Sequence, residues 1–180
     1  MGLKSWLSVP IARIAMRRFY RAYKDPVASQ LHVMKTLVEE AENTAFGKDH
    51  DFSKINSHTD FTAHVPLRDY EALKGYIQRV KEGEENVLWP GLPLYFCKTS
   101  GTTSGTKYIP LTRESLPNHI GSARTALFAY IAETGKSDFV DGKMIFLQGS
   151  PVMEKLPSGI PFGRLSGIVA NHVPAYLQKN

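Results

Sequence analysis

The chain has 180 residues, 42% of them hydrophobic and 22% charged, and its 22 basic and 17 acidic side chains leave a net charge of +5. This balance is ordinary for a soluble globular protein and excludes a polybasic or disordered design. A single cysteine, Cys97, excludes an internal disulfide and goes with a reducing, cytoplasmic setting. No apolar run approaches ~18 residues, so no membrane span is predicted.

The first 24 residues contain no acid, and their charges are Lys4, Arg13, Arg17, Arg18, Arg21 and Lys24. Leu7, Ile11, Ala15, Phe19 and Tyr23 recur every fourth position, with Arg13, Arg17 and Arg21 forming a second ladder about 200° away. Such a basic amphipathic helix suits a membrane surface, a transit peptide or nucleic acid. The reading preferred here is a helix docked by that apolar ladder, its arginines in water, with no nucleic-acid partner. Trp6 occupies the place where a myristoylation signal needs Ser or Thr.

Asp25-Pro26 pairs an N-cap with proline at the first helical position. Val27, Leu31, Met34, Val38, Ala41 and Ala45 then predict one helix, with Gly47 just past its end. A polar connection follows from Lys48 to Ser57. Tyr70, Leu73, Ile77 and Val80 mark another helix, ending near Gly83. Residues 1–88 therefore read as a helical N-terminal region, with no sharp boundary before Trp89.

From Tyr95 an apolar run breaks into Thr99-Ser-Gly-Thr-Thr-Ser-Gly-Thr106 and resumes at Lys107-Tyr-Ile-Pro110, predicting strand, loop, strand. Backbone amides and hydroxyls crowd this loop without bulky groups to shield them. Gly101 and Gly105 can adopt the positive φ that turns successive N–H groups toward one centre, making a nest for an oxyanion. Lys107 supplies the countercharge, and no Asp or Glu occurs between Glu85 and Glu114. The spacing is not that of a P-loop, which has four residues between its glycines and Lys directly after the second. Gly-x-Gly-x-x-Gly is absent too.

Next, Thr112 can cap a helix running to about Thr134, with Leu116, Ile120, Ala123, Leu127 and Ile131 inward and Gly135 as the stop. Lys143-Met-Ile-Phe-Leu-Gln148 reads as a buried strand. The alternation of strand and helix predicts an α/β layer over 89–180, ending in a Gly- and Pro-rich, irregular tail from Gly149 to Pro174.

Thr99 to Thr103 with Lys107 resembles the signature of the adenylate-forming superfamily, which includes acyl-CoA synthetases and luciferase; Ser104, Thr106 and Tyr108 stand where its commonest form has Gly, Pro and Gly. With Trp89-Pro90, Met144-Ile-Phe-Leu-Gln-Gly-Ser-Pro151 and Gly163-Arg-Leu-Ser-Gly-Ile168, nearly the whole chain resembles the auxin-responsive promoter family of acyl-acid amido synthetases, particularly its bacterial members.

The resemblance implies the helical region and the start of the large adenylate-forming domain of a longer ligase. That ligase would adenylate a small-molecule carboxylic acid with ATP and Mg2+, then pass the acyl group to an amino acid. It implies that Thr99, Ser100, Gly101, Thr102, Thr103, Ser104 and Gly105 hold the β- and γ-phosphates, with Lys107 neutralising charge on the departing pyrophosphate, and that residues 1–180 alone are inactive. An acyl-CoA ligase of the same superfamily is one alternative. A catalytically silent basic module on an anionic surface is another.

Other chemistry is weak. The six histidines show no ligand spacing, so no metal site is predicted in the chain. Cys97 with His119 or His172 would make a thiol enzyme, but a cysteine between Phe96 and Lys98 in an apolar strand reads as a small core residue. No Gly-x-Ser-x-Gly elbow occurs.

Overall fold

The computed structural model describes residues 2–99, 105–143, 145 and 147–172. Five helices come first: α1 (Leu3–Tyr20), α2 (Pro26–Ala41), α3 (Ala45–Asp49), α4 (His58–His64) and α5 (Tyr70–Lys81). Strands β1 (Tyr95–Lys98) and β2 (Tyr108–Leu111), helix α6 (Leu116–Thr134), strands β3 (Glu154–Lys155) and β4 (Pro161–Gly163) and helix α7 (Leu165–Ala170) follow. The fold is mixed α/β, a helical N-terminus attached to a small sheet.

That sheet has the order β2-β1-β4-β3. β1 pairs antiparallel with β2, Tyr95 opposite Leu111 and Lys98 opposite Tyr108, and parallel with β4 at Phe96–Phe162 and Cys97–Gly163. Alternation along β1 sends successive side chains to opposite faces. Phe96 joins Ile77 and Val80 of α5, Val87, Ile160 and Phe162 in one core. Cys97 joins Leu111, Leu116 and Ile168 in another, beneath α6 and α7. A third core, Val38, Ala41, Phe52 and Ile55, lies under α2.

Local signals explain most helix ends. The Asp25 carboxylate accepts from the Ala28 N–H at 2.9 Å with Pro26 behind it, and Asp69 caps α5 through Ala72 at 2.9 Å. Ser57 and Asp60 form a reciprocal capping box on α4. α6 starts later than expected, at Leu116, because Thr112 and Ser115 satisfy each other's N–H groups at 3.0 and 3.1 Å in a local turn; it stops at Gly135, as expected.

Four expectations are corrected. First, the second helix does not run through Ala45. It ends at Ala41, and Thr44 caps a separate α3, donating to the Ala41 carbonyl at 2.7 Å and accepting from the Gly47 N–H at 3.0 Å. Gly47 is thus buried inside α3 rather than acting as a stop. A Cβ there would lie 2.1 Å from the Ala41 carbonyl oxygen, so only glycine lets the two helices approach this closely.

Second, α1 docks by a different face. Ser5, Ala12 and Met16 are buried, while Leu7, Ile11, Phe19 and Tyr23 of the predicted ladder are exposed. The contact is built from small groups: the Ser5 and Ser137 hydroxyls share a 2.7 Å hydrogen bond, and the Tyr20 hydroxyl donates to Glu133 on α6 at 3.0 Å. A ladder of bulky apolar residues gives no hint of a contact made through serine and alanine.

Third, Lys143–Gln148 is not a buried strand. No strand is present at its described positions, and Ile145 and Leu147 are 88% and 97% exposed. Among the described residues no neighbouring strand offers a ladder for it, so β-favouring composition alone does not bury it. Fourth, β1 finds its parallel partner in β4, so part of the expected irregular tail is sheet and helix.

Candidate functional site

The Ser/Thr/Gly loop hangs from the β1–β2 hairpin, and both ends of its neck are fixed. The Thr99 N–H donates to the Lys107 carbonyl at 3.0 Å, and the Lys107 N–H donates to the Thr99 hydroxyl at 3.4 Å. Ladder pairing therefore continues one residue past Lys98 and Tyr108, to Thr99 and Lys107. Ser100, Gly101, Thr102, Thr103 and Ser104 lie outside the described residues. Gly105 is exposed and left-handed (φ 79°), with no atom within 4 Å of where a Cβ would stand. A backbone in this conformation is open to an approaching ligand.

Helix α5 anchors the far side. The Tyr108 N–H donates to the Tyr70 hydroxyl at 2.8 Å, and the Lys107 ammonium lies 5.5 Å from the centre of the Tyr70 ring. Tyr108 is packed edge-on against Phe162 at 5.6 Å with the Lys81 ammonium 4.2 Å over its ring. Its bulk thus serves the core that joins α5 to the sheet. Sequence reasoning placed Tyr70 in the apolar stripe of α5 and missed its contact with the hairpin; the large Tyr108 beside the loop was the available hint.

The two lysines of the hairpin differ. Lys98 is paired with Glu154 at 2.5 Å and sits 5.1 Å over the Phe162 ring. Lys107 is half-buried on Tyr70 and, among the described residues, pairs with no carboxylate. Holding the ammonium on a ring face leaves its charge available to an anion.

The alternative thiol centre is not assembled. Cys97 is buried, and desolvation pushes its thiol up to about 11. His172 hydrogen-bonds the Tyr95 hydroxyl at 3.2 Å instead. Among the described residues no three His, Cys, Asp or Glu side chains are gathered as metal ligands.

A helical layer bearing a small mixed sheet with a glycine hairpin at its edge defines a mixed α/β protein. Residues 15–179 match the GH3 family N-terminal domain, and the chain belongs to that family. It is 31% identical over 124 residues to indole-3-acetic acid-amido synthetase GH3.10 of Arabidopsis thaliana, covering 66% of this chain and 19% of that protein. Identity is 40% over 63 residues with indole-3-acetic acid-amido synthetase GH3.15 of the same plant, covering 34% of this chain and 11% of that one. Among solved structures, the fold matches AtGH3.15 acyl acid amido synthetase in complex with 2,4-DB with a TM-score of 0.69 at 21% identity, covering 84% of this chain and 26% of that one. A second structure, of GH3.15 acyl acid amido synthetase, gives 0.65 at 19% identity over 80% and 26% of the two chains. The chain spans about a quarter or less of the length of these relatives.

Proposed function

We propose that this chain is the N-terminal part of an ATP-dependent ligase that adenylates a carboxylic acid and transfers the acyl group to an amino acid, working in the cytoplasm. The observation that carries the reading is the hairpin neck, in which Thr99 and Lys107 are paired while Lys107 rests on Tyr70 with no carboxylate partner among the described residues. The amido-synthetase names of the relatives favour an amine acceptor over CoA.

In the first step a carboxylate oxygen attacks the α-phosphorus of ATP and pyrophosphate leaves. Amides and hydroxyls of Thr99, Ser100, Gly101, Thr102, Thr103, Ser104 and Gly105 would hold the β- and γ-phosphates, and Lys107 would neutralise the charge gathering on the leaving group. The chain offers donors here rather than carboxylates, so Mg2+ would enter on the triphosphate and offset its charge. In the second step the amine attacks the acyl carbon and AMP departs. Residues 1–88 would act as a helical support, with α5 gripping the hairpin, and 89–180 as the first part of the ATP-binding subdomain.

Lys107→Ala tests the assignment. In the full-length ligase, acid-dependent exchange of labelled pyrophosphate into ATP should fall on the order of 10²–10³-fold in a folded variant, the usual worth of a group aimed at developing charge. Unchanged exchange would remove Lys107 from the reaction.

A further inference from the structure

Helix α1 has two apolar faces, and its neighbours among the described residues cover only one. With Ser5, Ala12 and Met16 turned inward, Leu3, Trp6, Leu7, Pro10, Ile11 and Ile14 fall on the opposite side, within an arc of about 140° at ~100° per residue. Trp6 is 64% exposed and Ile14 67%. Lys4 and Arg13 flank that arc, and Arg17 and Arg18 continue the same side one turn beyond Ile14; all four are exposed. Residues 1–24 contain no acid, and the carboxylates set against the helix are Asp141, which accepts from the Gly2 and Ser5 N–H groups, and Glu133, which accepts from the Tyr20 hydroxyl.

Beside it, Ile11 and Ile14 continue into a groove of about 600 Å³ between α1 and α6, lined also by Phe19 and Phe128 and by the guanidinium-bearing Arg18 and Arg124. An apolar ridge carrying a tryptophan and edged by cations matches the boundary between acyl chains and anionic headgroups. A second copy docking α1 against α1 would set like charges against each other, because residues 1–24 carry no acid, whereas an anionic lipid surface supplies the opposite charge.

We propose that the outward face of α1 seats the protein on an anionic lipid surface. Leu3, Trp6, Leu7 and Ile14 enter the interfacial layer while Arg13, Arg17 and Arg18 meet the headgroup phosphates. Among the described residues no helix is long and apolar enough to cross a membrane, so the attachment is peripheral and reversible.

The test is co-sedimentation of the protein with phosphatidylcholine vesicles made with and without phosphatidylserine, with no acyl substrate present, so the result stands apart from the ligase reading. Binding is expected only with phosphatidylserine and should be lost as salt rises. Each cation near such a surface contributes about fivefold, so Arg13→Gln with Arg17→Gln should weaken binding roughly 25-fold. Leu3→Ser with Ile14→Ser, at positions outside the core, should abolish it without lowering the melting temperature. Brominated lipid should quench emission in the wild type but much less in Trp6→Phe.

The proposal is overturned by absent or lipid-indifferent binding, or by tighter binding to a DNA duplex than to the vesicles. It also fails if Leu3→Ser with Ile14→Ser dissolves a dimer, which would make a second copy the occupant. Shielding of Trp6 from an aqueous quencher in the lipid-free monomer would equally contradict it.

Discussion

The ring of Tyr70 lies beneath the ammonium group of Lys107, 5.5 Å from its centre, while its hydroxyl accepts the N–H of the next residue, Tyr108, at 2.8 Å. One side chain from α5 thus ties down both the charge and the backbone of the hairpin. The proposed phosphate loop is held from outside its own sequence.

These two contacts can be separated. Tyr70→Phe keeps the ring and strands a part-buried N–H, which should cost about 1–2 kcal/mol of stability with little change in pyrophosphate exchange. Tyr70→Leu removes both contacts and should also raise the KM for ATP. Chemical denaturation alongside exchange kinetics distinguishes them, and equal kinetic losses in both variants would show that the ring does not position Lys107.

Gly47→Ala should destabilise the protein, although alanine is the better helix former by about 1 kcal/mol. The added methyl meets the Ala41 carbonyl oxygen at 2.1 Å, so α2 and α3 must separate, at a typical cost of about 1–3 kcal/mol or more. A raised melting temperature would show that this packing is not as described.

Cys97 should be nearly inert in the native protein. Burial raises its thiol to about 11, so at about pH 8 only roughly one molecule in a thousand carries the reactive thiolate. Titration with a chromogenic disulfide should proceed only on unfolding. Rapid labelling of the folded protein would reopen the thiol chemistry.

Asp60 gives a pH signature. The Ser57 hydroxyl, with the N–H groups of Asn56 and Ser57, holds its carboxyl below the usual carboxylate range. A carboxyl depressed in the fold contributes stability that is present above its unfolded value, ~3.9, and is lost as pH falls through the lower folded value. Asp60→Asn should therefore melt earlier than wild type near neutrality, with the gap closing in acid. A gap independent of pH would assign the effect to packing.

Elements whose signals are local were legible in the sequence. Asp25-Pro26, the stripe of Tyr70, Leu73, Ile77 and Val80, and the hairpin bracketed by Tyr95 and Thr112 all carry their cause within a few residues, and so does the stop at Gly135. Chemistry and resemblance single out Lys107 and the Ser/Thr/Gly loop, whose phosphate-binding role is the proposal made above. Features decided by a distant partner were not. Gly47 looks like a helix terminator until the Ala41 carbonyl is seen against it, and Lys143–Gln148 has the composition of a strand yet forms none at its described positions. β4 is too short and Gly-rich to announce that it pairs with β1. The docked face of α1 was misjudged because hydrophobicity marked the bulky side, whereas the contact is made by Ser5, Ala12 and Met16.

The central claim, adenylation followed by amide formation, is tested most directly by following oxygen. The full-length ligase is supplied with Mg-ATP, a panel of carboxylic acids labelled with ¹⁸O in the carboxylate, and either amino acids or CoA, and the products are weighed by mass spectrometry. Attack of the carboxylate on the α-phosphorus leaves one labelled oxygen in AMP once the acyl group has moved to the amine, so the account predicts singly labelled AMP, unlabelled pyrophosphate and an N-acyl amino acid. Label in inorganic phosphate with release of ADP, or unlabelled AMP, would contradict it.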